Sequence, residues 1–451
     1  MNRGGGPTRR AVILGAGSTL AAGCLEVEAT PAPTGDDWRM YGRDPGRTRS
    51  VPDADVSRDG VDVSWERSVG ASGWLPPLVV DGTVYCQYAN GLFVLDLEAG
   101  DGTRSDTHGG FGRGGPMAFA STSRYDDGVL ATPFEGKIAG YAADPDGWPG
   151  TVEGLGERRS RWWTDGETPR SAPRIWRHGR ETNRLTAPIA LDERLLCLHP
   201  ELDGAVSAID ANDGRTEWRF ALADLEREDE HAVAPIGHVV DEATGTVVVS
   251  SYVLDRPLLV GIDLADGSLE WVTEPNDDAS YAERRDSLLA ADGVVYAVES
   301  DAREAVTVRQ LEARTGERDW KRTLTRSDHR GLAVDGDAVY HHGLEPVDDG
   351  RDSVVVTALE RADGTVRWER SLEDRAGRTA QPPTVAGDLV LVPTADGLHA
   401  LDRETGDSLW TFTETAPTSG GSEMNRETET PVVVSGDRIV VGMTIGLYCL
   451  E

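Results

Sequence analysis

The residues best suited to bind a partner lie in one cationic, aromatic segment, residues 156–184. It carries eight arginines against four acidic residues, in a chain whose formal net charge is −33. Guanidinium groups bind carboxylates and phosphates through paired hydrogen bonds and stack on aromatic rings. The sequence therefore predicts a surface for an anionic or planar partner; alternatively, these arginines neutralise carboxylates within the protein. The predicted contact residues are Arg158, Arg159, Arg161, Trp162, Arg170, Arg174, Trp176 and Arg177.

Two other motifs contain residue types that ligate metals, but neither predicts a metal site. The run Asp53-x-Asp55-x-Ser57-x-Asp59-Gly60 resembles a calcium loop, yet its glycine follows the first aspartate too late for that loop. We interpret it as a polar lead-in. Adjacent His341 and His342 would point to opposite faces of a strand, and we expect a solvated loop there.

A repeated phrase indicates the elements that must hold these residues. Each copy consists of an aliphatic residue, an acidic residue, three residues of any type, a Gly, three more residues and a Trp. Five copies are complete, and a sixth, which begins at Leu95, has Arg104 in place of the Trp. A short apolar run, a hairpin dipeptide with Gly, and a β-branched run precede each copy. Four strands in about 50 residues form one blade of a β-propeller. The complete copies end at Trp218, Trp271, Trp320, Trp368 and Trp410.

The spacing of the remaining tryptophans predicts eight blades. Trp65 and Trp163 lie two blades apart, and the strand around Trp65 can supply the outer strand that the phrase beginning at Leu450 lacks. We therefore predict an all-β, eight-bladed propeller of four-stranded antiparallel blades, closed by an N-terminal strand; seven blades are the alternative. Large flat side chains suit the junctions between blades. Those predicted to be structural are Trp65, Trp163, Trp218, Trp271, Trp320, Trp368 and Trp410.

The phrase in residues 401–410, Leu-Asp-Arg-Glu-Thr-Gly-Asp-Ser-Leu-Trp, resembles the PQQ-like β-propeller repeat family. That family includes quinoprotein dehydrogenases and the propeller lipoprotein of the bacterial barrel-assembly machine. Residues 38–45 are similar to the segment that leads into many such propellers. The resemblance covers residues 38–451 and implies a fold rather than an activity, because one fold carries many functions.

The resemblance also sets out what an enzyme of this family would need. An active quinoprotein dehydrogenase typically has adjacent cysteines over the PQQ, a Trp floor, a Glu/Asn/Asp calcium set and a catalytic Asp. This chain has no Cys-Cys pair. We therefore predict a non-catalytic scaffold that has no catalytic residue and no cofactor. The alternative is a PQQ- and calcium-dependent dehydrogenase of an alcohol or sugar, since some PQQ enzymes lack the vicinal disulfide.

The N-terminus is typical of an exported lipoprotein. Arg9 and Arg10 precede a twelve-residue apolar run that ends in Ala-Ala-Gly-Cys24 and is too short to span a bilayer. We predict a twin-arginine signal peptide at residues 1–23, lipidation at Cys24 and a tether at residues 24–37. An uncleaved anchor is the alternative. The predicted location is the extracellular face of the cell membrane.

The charge indicates an environment more than a function. Removal of residues 1–23 changes the net charge from −33 to −36, and the chain has 43 arginines but only two lysines. This composition resembles that of haloarchaeal proteins, in which molar salt reduces the Debye length to about 3 Å. It argues against nucleic-acid binding. We predict a monomer that binds a protein or envelope ligand; archaea lack the outer membrane that barrel assembly serves.

The three cysteines after Cys24 are expected to be buried free thiols. Cys86 and Cys197 fall in corresponding strands of blades that do not touch, so they should not pair. A bridge between Cys86 and Cys449, across the closure of the ring, is the alternative.

Overall fold

The computed structural model is a ring of eight β-sheets, as predicted, with four-stranded antiparallel blades. Among the described residues the only helical elements are two 3₁₀ turns, Leu222–Leu225 and Arg285–Ser287. The structure describes residues 37–68, 74–88, 91–106, 115–134, 137–143, 162–163, 187–199, 204–225, 233–253, 256–274, 279–281, 285–301, 305–325, 328–346, 352–375, 381–417, 423–444 and 446–451.

Two short strands precede the first blade, β1 (Ser50–Val51) and β2 (Val63–Ser68). Blades 1 to 4 then follow in chain order, each running from the axis of the ring outward. Their strands are β3 Leu78–Val80, β4 Thr83–Tyr88, β5 Gly91–Asp96 and β6 Gly102–Asp106; β7 Ala118–Ala120, β8 Val129–Phe134, β9 Lys137–Ala142 and β10 Trp162–Trp163; β11 Ile189–Leu191, β12 Arg194–His199, β13 Ala205–Asp210 and β14 Thr216–Ala221; β15 Val233–Asp241, β16 Thr246–Val253, β17 Arg256–Asp263 and β18 Leu269–Thr273.

Blades 5 to 8 repeat this order with two additions. In blade 5 an extra short strand pairs with the second strand, and a small hairpin lies between blades 7 and 8. Their strands are β19 Ala279–Tyr281 (the extra strand), β20 Leu288–Ala291, β21 Val294–Asp301, β22 Ala305–Glu312 and β23 Arg318–Thr325; β24 Asp328–Val334, β25 Ala338–Pro346, β26 Asp352–Glu360 and β27 Val366–Arg375; β28 Thr384–Ala386, β29 Leu389–Pro393, β30 Leu398–Asp402 and β31 Ser408–Phe412; the hairpin β32 Thr415–Pro417 and β33 Glu423–Asn425; β34 Val433–Ser435, β35 Arg438–Met443 and β36 Gly446–Leu450.

The acidic and glycine residues of the repeated phrase form the turn from the third strand to the fourth. In blade 7 the Gly406 amide donates to the Asp402 carbonyl at 2.8 Å, and the Thr405 amide donates to the Asp402 carboxylate at 2.9 Å. Gly406 has φ of 72°, in the left-handed region that glycine adopts at little cost. These turns and the hairpins after the first strands lie at one end of the ring, which we call the turn face. The opposite end, where one blade connects to the next, is the loop face.

Five tryptophans of outer strands pack against the phrase glycine of the next blade. A Cβ placed on Gly316 would lie 2.6 Å from the Trp271 ring, so only glycine fits beneath the indole. The Trp271 indole also donates to the Ala313 carbonyl at 3.0 Å. The same pairing joins Trp65 to Gly100, Trp218 to Gly267, Trp320 to Gly364 and Trp368 to Gly406.

The ring closes through the N-terminal strand, which confirms the predicted closure. Strand β2 pairs antiparallel with β36 as the outermost strand of blade 8, and Trp65 lies opposite Cys449. Trp410 of blade 7 donates its indole N–H to the Ser57 carbonyl at 2.9 Å. The lead-in to β2 thus replaces the missing phrase turn of the last blade, and β36 is paired on both sides instead of forming an exposed edge.

The apolar core lies between adjacent blades. At the junction of blades 6 and 7, Tyr340 and Val356 are fully buried against Val385 and Val390 of the next sheet. Because both faces of each sheet are covered, the inner strands consist largely of consecutive apolar residues rather than an alternating pattern.

Residues 37–51, which we call the axial segment, cross the ring at the turn face. In all eight blades they contact the first strand or the residues just before it. The carbonyls of Pro45, Gly46 and Thr48 each accept an inner-strand amide at 2.9 Å, from blades 4, 5 and 6 respectively. Strand β1 continues the path parallel to β28 of blade 7. The contacts on the eight blades, in order, are Val79, Phe119, Ala187, Val240, Ala290, Val334, Val385 and Val434.

We expect Gly46→Ala to destabilise the ring. A Cβ at Gly46 would overlap the Ala290 carbonyl, so the axial segment would have to move away from blade 5. The expected loss is about 1–3 kcal/mol in the free energy of unfolding, measured by chemical denaturation. Gly336→Ala is the matched control, because a Cβ there meets nothing within 4 Å. Equal stability of the two variants would contradict the tight crossing.

Candidate functional site

A buried polar cluster lies where the axial segment crosses the ring. Arg47 and Arg49 are fully buried, and both guanidiniums lie over the Tyr41 ring, at 5.6 and 5.1 Å. Arg49 donates to Asp286 of blade 5 at 2.5 Å, and the Tyr41 hydroxyl donates to the same carboxylate oxygen. Arg47 donates to the Ala187 carbonyl of blade 3 at 3.0 Å. The cluster thus fixes the segment across the axis through charge-assisted bonds.

The axial segment also borders a cavity on the turn face, which we call the turn-face crevice. Its volume is about 320 Å³, and it lies between the segment and the hairpin turns of blades 4, 5 and 6. Five carboxylates and two guanidiniums line it, so its charge is negative. The charged lining residues are Arg43, Asp44, Asp241, Glu242, Asp292, Asp335 and Arg361.

Most of these acidic groups already have partners, and Glu242 is the exception. Asp241 accepts from the Thr244 hydroxyl at 2.7 Å, and Asp292 accepts from Arg361 at 2.9 Å. Partial desolvation, followed by repulsion from the carboxylates of Asp44, Asp192 and Asp241, raises the pKa of the exposed Glu242 above its ordinary value. The crevice can therefore accept a positive charge at Glu242.

The predicted partner-binding surface lies almost entirely outside the described residues. Only Trp162 and Trp163 have a defined position, as β10, the outer strand of blade 2, where they pair with Gly140 and Ala139. The predicted residues outside the described part are Cys24, Arg158, Arg159, Arg161, Arg170, Arg174, Trp176 and Arg177.

The expectation of a solvated loop at His341 and His342 is wrong. Both residues lie within β25 and are fully buried. His342 Nδ1 lies 2.9 Å from the Gln381 carbonyl of blade 7, and the His341 ring stacks on His329 at 5.2 Å. Gln381 of blade 7 thus covers His342, and His329 covers His341, so neither ring reaches solvent.

Among the described residues, no three His, Cys, Asp or Glu side chains converge as metal ligands would. The cysteines Cys86, Cys197 and Cys449 are separate, buried free thiols. Burial raises the pKa of all three, to about 11 for Cys449, so the reactive thiolate is disfavoured.

Sequence reasoning missed the axial cluster, although a signal for it exists. The run Tyr-Gly-Arg-Asp-Pro-Gly-Arg at residues 41–47 contains two glycines and a proline, which suit a chain that turns sharply. Arg43, Arg47 and Arg49 have φ of 80°, 58° and 55°, values uncommon for residues with a side chain.

Within the described ranges, no helix is long and apolar enough to cross a membrane.

The repeats of this chain match a known protein family. A family model described as outer membrane protein assembly factor BamB matches residues 202–371 and 304–449, which together make up more than half of the chain. No curated protein matches the sequence.

Solved structures share the propeller at low sequence identity. The quinohemoprotein alcohol dehydrogenase ADHIIG of Pseudomonas putida HK5 is 13% identical, with a TM-score of 0.61 over 92% of this chain and 80% of that one. BamB of Moraxella catarrhalis is 14% identical, with a TM-score of 0.51 over 87% and 100%. A europium-containing methanol dehydrogenase is 12% identical, with a TM-score of 0.59 over 93% and 98%. At such identity these likenesses concern the fold alone.

We expect Asp286→Asn to weaken the fold strongly, because it leaves the fully buried Arg49 without its counter-charge. Loss of one member of a buried ion pair costs about 3–5 kcal/mol, measurable as the free energy of unfolding in denaturant. Asp101→Asn is the control. It removes the partner of Arg67, but Asp101 is 87% exposed, and exposed pairs contribute about 0–1 kcal/mol. Similar losses in both variants would contradict the role of the axial cluster.

We expect acid to destabilise the protein partly through His238. Burial, followed by repulsion from Arg47, holds the pKa of His238 well below its ordinary 6.5. Unfolded chains bind this proton below about pH 6.5, whereas the folded form stays neutral, so the free energy of unfolding falls as the pH drops below that value. His238→Gln cannot take up the proton, so its stability should fall less between pH 7 and 5. Parallel curves for the two proteins would contradict this.

Proposed function

The chain belongs to the family described as outer membrane protein assembly factor BamB, and on that basis we propose that it is a non-catalytic lipoprotein scaffold at the cell surface. Lipidation at Cys24 would hold it on the extracellular face of the membrane. The cationic segment at residues 156–184, whose part after β10 connects blade 2 to blade 3 on the loop face, would bind a protein or another anionic envelope ligand.

The observation that carries this proposal is the position of Asp37, where the predicted tether enters the propeller. Asp37 lies on the turn face, where its carboxylate accepts the amide of Asp81 in the hairpin turn of blade 1. A tether of residues 24–36 would span at most about 45 Å when extended. Anchorage at Cys24 would therefore attach the propeller from its turn face, and partners could still reach the loop face.

The chemistry of the described side chains supports binding over catalysis. The indoles that end the phrases donate to backbone carbonyls across blade junctions. The cysteines are separate, buried thiols. A quinoprotein dehydrogenase is the competing function, because the structural neighbours include quinohemoprotein alcohol dehydrogenases.

We expect Arg170→Ser, Arg174→Ser and Arg177→Ser together to weaken capture of an envelope partner from solubilised membranes by tenfold or more. The change removes three charges from the cationic segment and nothing from the described core. Capture should also weaken as salt rises, because exposed charges are screened. The matched control replaces Arg215, Lys321 and Arg322 by Ser, three exposed cations of the outer parts of blades 3 and 5.

Two further measurements separate the parts of this proposal. Cys24→Ser should release the protein from the membrane fraction while the propeller keeps its melting temperature.

PQQ with calcium should give no dye-linked oxidation of alcohols or sugars and no rise in melting temperature. A bound cofactor at a hundredfold excess over its dissociation constant would instead add about 2.7 kcal/mol of stability. PQQ-dependent turnover would overturn the non-catalytic function. Equal capture by both triple variants would overturn the loop-face surface.

A further inference from the structure

The ring has one joint between strands that come from opposite ends of the chain, the pairing of β2 with β36 in blade 8. In blades 1 to 7 the third and fourth strands instead follow each other along the chain. Asp62 and Glu451 extend the joint, because the backbone amide of each residue donates to the carbonyl of the other, at 2.9 and 3.0 Å. Loss of this pairing would open the ring.

Trp38 crosses the same joint at the axis of the ring. Its backbone forms a bridge of two hydrogen bonds with Val79 in β3 of blade 1, at 2.7 and 3.2 Å. Its indole N–H donates to the Val434 carbonyl in β34 of blade 8 at 2.6 Å, and the residue is 2% exposed. Because β3 follows β2 in the chain and β34 shares a sheet with β36, Trp38 holds the two sides of the joint together.

The residues on either side of this tryptophan also bind the neighbouring blades. The Asp37 carboxylate accepts the Asp81 amide of blade 1 at 3.1 Å and pairs with the Arg39 guanidinium at 3.0 Å. The Arg39 carbonyl accepts the Phe119 amide of blade 2 at 2.6 Å. Residues 37–40, which we call the entry clamp, thus bind blades 1, 2 and 8 at the start of the axial segment.

The entry clamp is the first part of the propeller that a pull on the predicted tether would reach. Tension along a chain acts on the first residues that are fixed in the fold, and here these are residues 37–40. The rest of the axial segment follows at residues 41–51, and β2 follows only at residues 63–68. A pull from the tether therefore does not load the pairing of β2 with β36 while the clamp holds.

We propose that the entry clamp is a load-bearing attachment, which takes up tension between the membrane anchor and a partner bound on the loop face and so keeps the ring closed. This inference rests on the proposed function. The bond from Trp38 to Val434 contributes most directly, because it links the clamp to the last blade. Breaking it leaves a buried donor and a buried acceptor without partners, which is costly.

The test applies a constant force to single molecules of the chain from residue 24 onward, with Cys24→Ser, so that no lipid is needed. One handle is attached at the amino terminus and the other at Thr325→Cys, at the loop-face end of the outer strand of blade 5. Extraction of residues 37–51 should appear first, as a step of at most about 50 Å, before the ring opens. Trp38→Phe, which keeps an aromatic ring but removes the N–H, should shorten the time to that step at least tenfold.

Trp74→Phe is the matched control. Trp74 lies just before blade 1 and is 4% exposed, but its Nε1 has no hydrogen-bond partner among the described residues. The control therefore removes an indole without removing a hydrogen bond, and its lifetime under load should stay within twofold of that of the unsubstituted protein. Equal lifetimes of the two variants would overturn the role of the clamp. Opening of the ring in a single step, without the earlier extension, would overturn it as well.

A second pulling geometry separates load-bearing from general stability. Handles at Arg215→Cys and Thr325→Cys load blades 3 to 5 and leave the entry clamp outside the path of the force. In this geometry Trp38→Phe and Trp74→Phe should have equal lifetimes. A tenfold shorter lifetime of Trp38→Phe here too would mean ordinary destabilisation and would contradict the proposal. Because these molecules carry no lipid, the result does not depend on anchorage at Cys24, which the release of Cys24→Ser from membranes tests separately.

Discussion

The ring depends on one contact, an indole packed over a glycine of the next blade. Trp271 covers Gly316 closely enough that a methyl group in place of the glycine hydrogen would collide with the ring. The indole N–H is bound at the same time to the Ala313 carbonyl. Because this contact joins a fourth strand to the following third-to-fourth turn, it fixes the distance between neighbouring sheets, and side-chain bonds such as those from Arg314 to Thr244 and Glu270 support it. The repeat length can vary in the loops while the junction stays the same.

The axial segment adds a different kind of constraint, because it contacts every blade at once. Two fully buried arginines, Arg47 and Arg49, are stable there only with carbonyls and the Asp286 carboxylate around them. In a strongly acidic protein, positive charge placed on the axis lies at the centre of the surrounding negative charge. The segment therefore ties the blades together mechanically and reduces their mutual repulsion, while the ends of the ring stay available for binding.

Sequence patterns predict the repeated parts of this molecule and miss the parts that occur once. The four-and-four spacing of the phrase predicted the turns, and the strand around Trp65 was predicted to complete blade 8, because both follow from local period and strand count. The burial of His341 and His342 could not be predicted, since it depends on Gln381 of the next blade. The burial of Arg47 and Arg49 likewise follows only from ring closure.

Closure by β2 also governs the order in which the chain can fold. Residues 63–68 are synthesised early, yet their partner is β36 at residues 446–450, so the pair cannot form until nearly the whole chain has emerged. Contacts between such distant residues slow folding, and until they form, the open sheet edges are prone to aggregate. The blades can assemble successively from the first onward, whereas the N-terminal strand must wait for the last. A nascent chain truncated before residue 446 would therefore lack the closed ring, however many complete blades it contained.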